Sequence, residues 1–308
     1  MSDAALYREF LLRGGVADLS DRVKLRLTGA DRVRYLNGQI TSNVSKLRVG
    51  QTQPACVTTA KGRLCAEIMI RADKEALFID ADATLAETLP ARLERYIVAD
   101  DVELSEPLVE MRLLHFFGNL PDQLANLEAL GAQPARRFGI DGWDLWVDAR
   151  IMETLGKRLP EVPVLSETLL ESLRIERGIA RWGQELDETT LPPEAGLERT
   201  HIDYHKGCYI GQEVISRLKS IGHVNRQLTG FISLEQPLAP GMQLFTTGPE
   251  SAEGKPVGTI TSAAWSFALE KPVALGYLKR GVSMTGLVAR MPDAPEVPIT
   301  AQPLPFVP

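Results

Sequence analysis

The chain has 308 residues, a size that suggests about two domains. Hydrophobic residues make up 44% and charged residues 24%, the balance of a globular protein able to bury its own cores without a metal or disulfide staple. Thirty-four Lys and Arg against 40 Asp and Glu leave a net charge of −6, which argues against broad electrostatic binding to nucleic acid or an anionic membrane.

Ser2 is placed to cap a first helix whose apolar face includes Leu6, Phe10 and Leu11. This N-terminus mixes acids and bases and does not read as a signal peptide. VKLRL (23–27) alternates as a half-buried strand, and Thr28 with Asp31 resembles a capping box opening a helix through Tyr35 and Leu36. ACVTT (55–59), a Lys61-Gly62 turn and LCAEIMI (64–70) predict a hairpin, extended by ALFID (76–80). Asp82 is expected to cap a helix reaching about Tyr96, disturbed near Pro90. DVEL (101–104), VEMRLLHFF (109–117) and WDLWV (143–147) read as strands, with a helix over 120–130 stopped by Gly131. Ser166 opens a helix that carries Leu169, Leu170, Leu173 and Arg174 and ends near Gly178. Beyond Arg226 the helical period disappears, and 11 of the 20 prolines lie there among short apolar runs. That spacing predicts a small antiparallel barrel or sandwich, and a domain boundary near Arg226, giving regions 1–225 and 226–308.

No run approaches the ~18 apolar residues of a membrane span. The three cysteines, Cys56, Cys65 and Cys208, are odd in number and form no CxxC, so a secreted disulfide framework is not expected and the chain reads as cytoplasmic.

Residues 174–226 carry the densest chemistry. They hold three of the four histidines, the cysteine outside the apolar hairpin, and eight Lys/Arg balanced by eight Asp/Glu. Cys208 follows Lys206 and Gly207 and precedes a helix expected from Gln212; a lysine and a helix N-terminus both favour a thiolate. A turn cysteine with no function remains open beside a reactive or ligand-holding one. The His201, Asp203, His205, Cys208 series does not have familiar zinc spacing, so no metal site is expected. A nucleophilic pair of Cys208 with His205 or His223 has no evident third member. Glu176 is placed either as a solvated helix charge or as a bidentate acceptor for a heterocycle with adjacent N–H groups, such as a pterin. Trp182, Tyr204 and Tyr209 form either a stacking wall for a planar ligand or local core. The glycines make neither a P-loop nor a dinucleotide fingerprint.

KGCYIGQE (206–213) resembles the signature of YgfZ-type folate-binding proteins, relatives of the glycine cleavage T-protein. RIERG (174–178), WGQELDETTLPPEAGL (182–197), LNGQITSNV (36–44, with Asn43 where the family has an acid) and RYIVADDVEL (95–104) resemble further family segments. The resemblance implies an α+β architecture in which two interwoven lobes and a C-terminal β-barrel surround a folate pocket. It implies tetrahydrofolate as ligand and iron–sulfur enzymes as clients, including radical enzymes of tRNA modification, without direct nucleic-acid or membrane binding. It makes Cys208 the critical thiol and Lys206 its neighbour. Glu176, with Arg174, Trp182, Tyr209, Gln212, Glu213 and Glu67, falls to the folate site. T-proteins carry an Asp-Asp pair where this chain has Ala66 and Glu67, which argues against aminomethyl transfer. Folate-dependent aminomethyl or methyl transfer and a non-catalytic protein-binding scaffold stand as the alternatives.

Overall fold

The computed structural model describes residues 2–120, 127–152, 159, 161–234, 236–247, 254–292 and 294–307. Helix α1 (Asp3–Arg13) is capped by Ser2, whose hydroxyl accepts the Ala5 amide at 3.4 Å. Leu6 and Phe10 are buried, but Leu11 is 54% exposed: the apolar stripe is narrower than the sequence suggests.

Three sheets follow. The first is four-stranded and antiparallel, in the order β1 (Gly15–Asp18), β7 (Met111–Phe117), β9 (Ile140–Asp148), β8 (Gln133–Arg137). The second is five-stranded, in the order β3 (Thr52–Thr58), β4 (Leu64–Ala72), β5 (Leu77–Ala81), β2 (Val23–Thr28), β6 (Glu103–Leu104). The chain leaves the first sheet after β1, builds the second, and returns at β7, so the two lobes are interwoven. The second sheet buries Leu25, Leu27, Ile68, Ile70 and Ile79 completely.

Two short helices cover that sheet. Helix α2 (Arg32–Gln39) begins at Asp31, but the Asp31 side chain does not cap it. Its carboxylate instead accepts the Asp101 amide at 3.0 Å and pairs with Arg34, tying α2 to the segment before β6. The helix expected from Asp82 is divided. Asp82 caps a single 3-10 turn (Ala83–Leu85), and α3 (Thr88–Glu94) starts afresh with Pro90 in its first turn, where the missing N–H costs nothing. The helix predicted over 120–130 falls largely outside the described residues; Glu128–Leu130 form a 3-10 turn closed by Gly131.

Helix α4 (Glu167–Glu176) is capped by Ser166, which accepts the Leu169 amide at 3.2 Å, and α5 (Gln212–Ser220) follows Gly211. The remaining strands, β10 (Arg226–Ser233), β11 (Gln243–Thr246), β12 (Gly258–Ser266), β13 (Lys271–Lys279), β14 (Leu287–Arg290) and β15 (Val297–Gln302), close into an antiparallel barrel in the order 10-13-12-11-14-15. Phe231, Leu244, Ile260, Ala274 and Ala289 fill its interior. Among the described residues, no helix is long and apolar enough to cross a membrane.

Candidate functional site

The last turn of α4 brings Glu176 under the barrel. Its side chain is 1% exposed, which removes the reading of a solvated helix charge. Oε1 accepts the Ser266 hydroxyl at 2.7 Å, the Ala268 amide at 3.2 Å and the Ser172 hydroxyl at 3.3 Å. Oε2 has no hydrogen-bond donor. Arg177 Nη1, also buried and without an acceptor, stands 3.6 Å away. Burial pushes the Tyr7 hydroxyl above its ordinary pKa, and the Glu176 charge pushes it the same way. Tyr7 stacks on Phe267 with ring centroids 5.6 Å apart. The two atoms form a long ion pair but neither makes a hydrogen bond, and a ligand offering both a donor and an acceptor would supply one to each.

Arg174, grouped with Glu176 by sequence, does other work. Its guanidinium binds Glu171, Glu185 (2.9 Å), the Ser262 hydroxyl (2.6 Å) and the Ile179 carbonyl (3.0 Å), pinning α4 to β12. Trp182 is half-buried against Cys56, Leu186 and the core of the second sheet.

The 206–213 loop is held by backbone contacts. Lys206 is 7% exposed, and its ammonium donates to the carbonyls of Asn37 (2.6 Å), Ile40 (2.8 Å) and Ser42 (2.6 Å). Burial pulls its pKa down to about 8, with Asp203 acting the other way. These three bonds occupy all the donors of an ammonium group, so Lys206 clamps the 36–44 segment to the 206–213 loop. The Ile210 amide bonds Gly38 (3.2 Å), and its carbonyl accepts the Thr58 hydroxyl (2.5 Å). Gly211 holds φ +89°, and a Cβ there would lie 2.5 Å from the Thr59 carbonyl oxygen. Tyr209 is buried beside Lys206, its ring centroid 5.1 Å from Nζ and its hydroxyl without a partner. Cys208 is exposed, as is Glu213, and Gln212 is half-buried at the start of α5.

The histidine series comes apart. His201 turns to Glu67 on β4, Nε2 to Oε1 at 3.3 Å, while Thr200 Oγ1 meets its Nδ1 at 2.7 Å. Asp203 accepts the His205 amide (2.8 Å) and pairs with Lys46 (3.1 Å). His205 is exposed, and Lys219 lies over the Tyr204 ring at 3.6 Å. Among the described residues, no three His, Cys, Asp or Glu are placed to hold a metal ion. Burial works to raise the Glu67 carboxyl, but His201, Arg22 and Arg137 together hold it below the usual carboxylate range.

From Glu67 a line of alternating charge crosses between the lobes, and the sequence reading did not contain it. Arg22 lies 3.9 Å from Glu67 and bonds Asp80 at 2.5 Å. Asp80 accepts Arg137 Nη1 (3.0 Å) and Nη2 (2.7 Å). Arg137 also binds Asp144 (2.8–3.0 Å), which takes His115 Nδ1 at 2.8 Å. Asp80 and Asp144 are 1% and 0% exposed, and His115 is 0% exposed with Nε2 unpartnered, stacked on Phe117. The local signal available was faint: Arg137 and Asp144 sit on adjacent strands, but their partners are tens of residues away.

Residues 226–308 match the family of the glycine cleavage T-protein C-terminal barrel domain. The mitochondrial aminomethyltransferase of Gallus gallus is 28% identical over 330 residues, covering 94% of this chain and 81% of its own. An aminomethyltransferase of Rubrobacter xylanophilus is 28% identical, covering 96% and 83%. The crystal structure of the glycine cleavage system aminomethyltransferase T from Bartonella henselae superposes with a TM-score of 0.82 at 21% identity, over 98% of this chain and 89% of that one. The fold, two interwoven lobes with a closed six-stranded barrel, is therefore the one that this aminomethyltransferase T adopts.

Proposed function

We propose that this protein binds tetrahydrofolate and serves iron–sulfur enzymes, including radical enzymes of tRNA modification, through Cys208. The observation that carries the folate reading is the buried pair of Glu176 Oε2 and Arg177 Nη1, 3.6 Å apart and each without a hydrogen bond. A reduced pterin has adjacent N–H donors for the first and a carbonyl oxygen for the second, so the residues present fit the group. Bound there, tetrahydrofolate would supply one-carbon carrier chemistry. Glu176 would orient its ring, and the walls of α4 and the barrel would exclude water. The accessory role is supported by Cys208, which stands in the solvent on a loop that Lys206 anchors to the backbone of the 36–44 segment. A thiol presented in this way suits reaction with a partner protein more than with a buried ligand.

A second reading, folate-dependent aminomethyl transfer, draws on one observation. Glu67 is kept ionised beside His201, which is the protonation state of a base. The aminomethyltransferases to which the chain is similar point the same way.

Anaerobic calorimetric titration with tetrahydrofolate tests the common part. The wild type is expected to bind in the micromolar range and Glu176→Gln at least tenfold more weakly, a loss of about 1.4 kcal/mol or more; no binding by the wild type overturns the folate reading. Complementation of a strain lacking the protein then separates the two. Failure of Cys208→Ser with no methylene transfer in vitro supports the accessory role, and full rescue by Cys208→Ser with turnover above blank supports the transferase.

A further inference from the structure

Away from Glu176 and Cys208, the ladder between β10 and β13 sets Arg226 directly opposite Lys279. Register partners share a face of the sheet with Cβ atoms about 5 Å apart, and like charges so placed repel. The fold keeps this repulsion at the wall of a cavity of about 420 Å³ between the barrel and the 184–190 segment, which both residues line together with Glu185, Asp187 and Tyr277.

Of that wall's carboxylates, Glu185 is bonded at both oxygens and Asp187 at Oδ1. Glu185 accepts Arg174 Nη1 (2.9 Å), the Arg181 amide (3.0 Å), and the hydroxyls of Thr261 (2.7 Å) and Ser262 (2.5 Å). Asp187 accepts the Thr189 amide (2.8 Å) and the hydroxyls of Thr189 and Thr190 (2.7 Å each). The cations keep unused donors. Arg226 lies over the Tyr277 ring, 4.2 Å from its centroid, and uses Nε on Glu194 at 3.0 Å. Its two terminal nitrogens make no hydrogen bond among the described residues. Lys279 makes one bond, to the Pro256 carbonyl at 2.8 Å. Lys279 also borders a second groove, of about 610 Å³, with His223 and Arg280. No Asp or Glu occurs in 214–234 or 271–292, so the strand side of the cavity carries cations alone, facing Glu185 and Asp187 on the 184–190 segment.

We propose that the Arg226–Lys279 cavity binds a small organic polyanion, anchored by the free fork of the Arg226 guanidinium and neutralised by Lys279. A planar guanidinium edge matches a carboxylate or a phosphate bidentately, and a ligand with two anionic groups would relieve the opposed cations. Arg226 covers the Tyr277 ring, so the site offers no surface for stacking a base. It is separate from the folate reading, because Glu176 meets the Ser266 end of the β12–β13 hairpin whereas Lys279 and Gly258 lie at the other.

Calorimetric titration with citrate and with pyrophosphate at low salt tests this. Wild-type protein is expected to bind at least one of them with a sub-millimolar dissociation constant, weakening as salt screens the charges, and the tighter probe identifies the anionic group. Lys279→Ala, an exposed change that removes one hydrogen bond, is expected to bind about tenfold more weakly, and Arg226→Gln more weakly still, with tetrahydrofolate affinity unchanged in Lys279→Ala. Equal affinity of Lys279→Ala and wild type for both probes, or no binding by the wild type, overturns the proposal.

Discussion

At the scale of single residues, adjacency in sequence proved a poor guide to partnership. Lys206 and Cys208 are two positions apart, which suggested a lysine tuning a thiol. The structure turns one into the interior and the other into solvent. Lys206 instead satisfies three carbonyls of the α2–β3 segment, and its removal would leave those acceptors buried and unpaired. Lys206→Met is therefore expected to lose roughly 2–4 kcal/mol of stability in chemical denaturation, whereas Cys208→Ser should change it by less than about 0.5 kcal/mol. Equal effects of the two substitutions would contradict the clamp. Glu176 shows the converse: its chemical type was legible in RIERG, but its burial depends on Ser266 and Ala268, some 90 residues later, and no local pattern announces such a contact.

At the scale of elements, the strands with two-residue alternation and the well-capped helices were readable because their patterns are local. VKLRL, LCAEIMI and the Ser166 helix carry their own start, period and stop. The missed strands lack that information. β1 is four residues long, and β8 reads QPARR, polar enough to pass for a loop until the first sheet pairs it with β9. The joint between α5 and the β3–β4 hairpin depends on Gly211, whose left-handed backbone and missing Cβ allow the loop to touch Thr59. Gly211→Ala is expected to cost about 2 kcal/mol or more. It should also speed proteolysis within 206–213 while leaving the barrel protected, as hydrogen exchange would report. Uniform loss of protection across the chain would mean that the joint is not local.

At the scale of the molecule, the line Glu67–Arg22–Asp80–Arg137–Asp144–His115 couples the two lobes, and its pH response has a definite sign. Burial pushes His115 below its ordinary pKa against the pull of Asp144, so between that folded value and about 6.5 the unfolded chain binds a proton that the folded chain refuses. Stability then falls as pH drops below about 6.5. Burial opposes the lowering of the Asp144 carboxyl, but Arg137 and His115 outweigh it, so its contribution is complete above about pH 4 and is lost below. Melting temperature is expected to decline in two stages on acidification, and His115→Asn should flatten the upper stage while sparing the lower. A single stage unaltered by His115→Asn would remove the imidazole from the account. None of this line was visible beforehand, because its members are joined only when two sheets built from interleaved stretches of chain come face to face.

The distribution of thiols also fixes a valence. Cys56 is sealed in β3, with burial driving its thiol far above the usual range; Cys65 is half-buried and raised in the same sense; Cys208 is exposed. The molecule thus offers the solvent one exposed thiol. Any covalent bond it makes through that atom joins it to a single counterpart, and a bond to its own kind closes at a pair instead of growing into a chain.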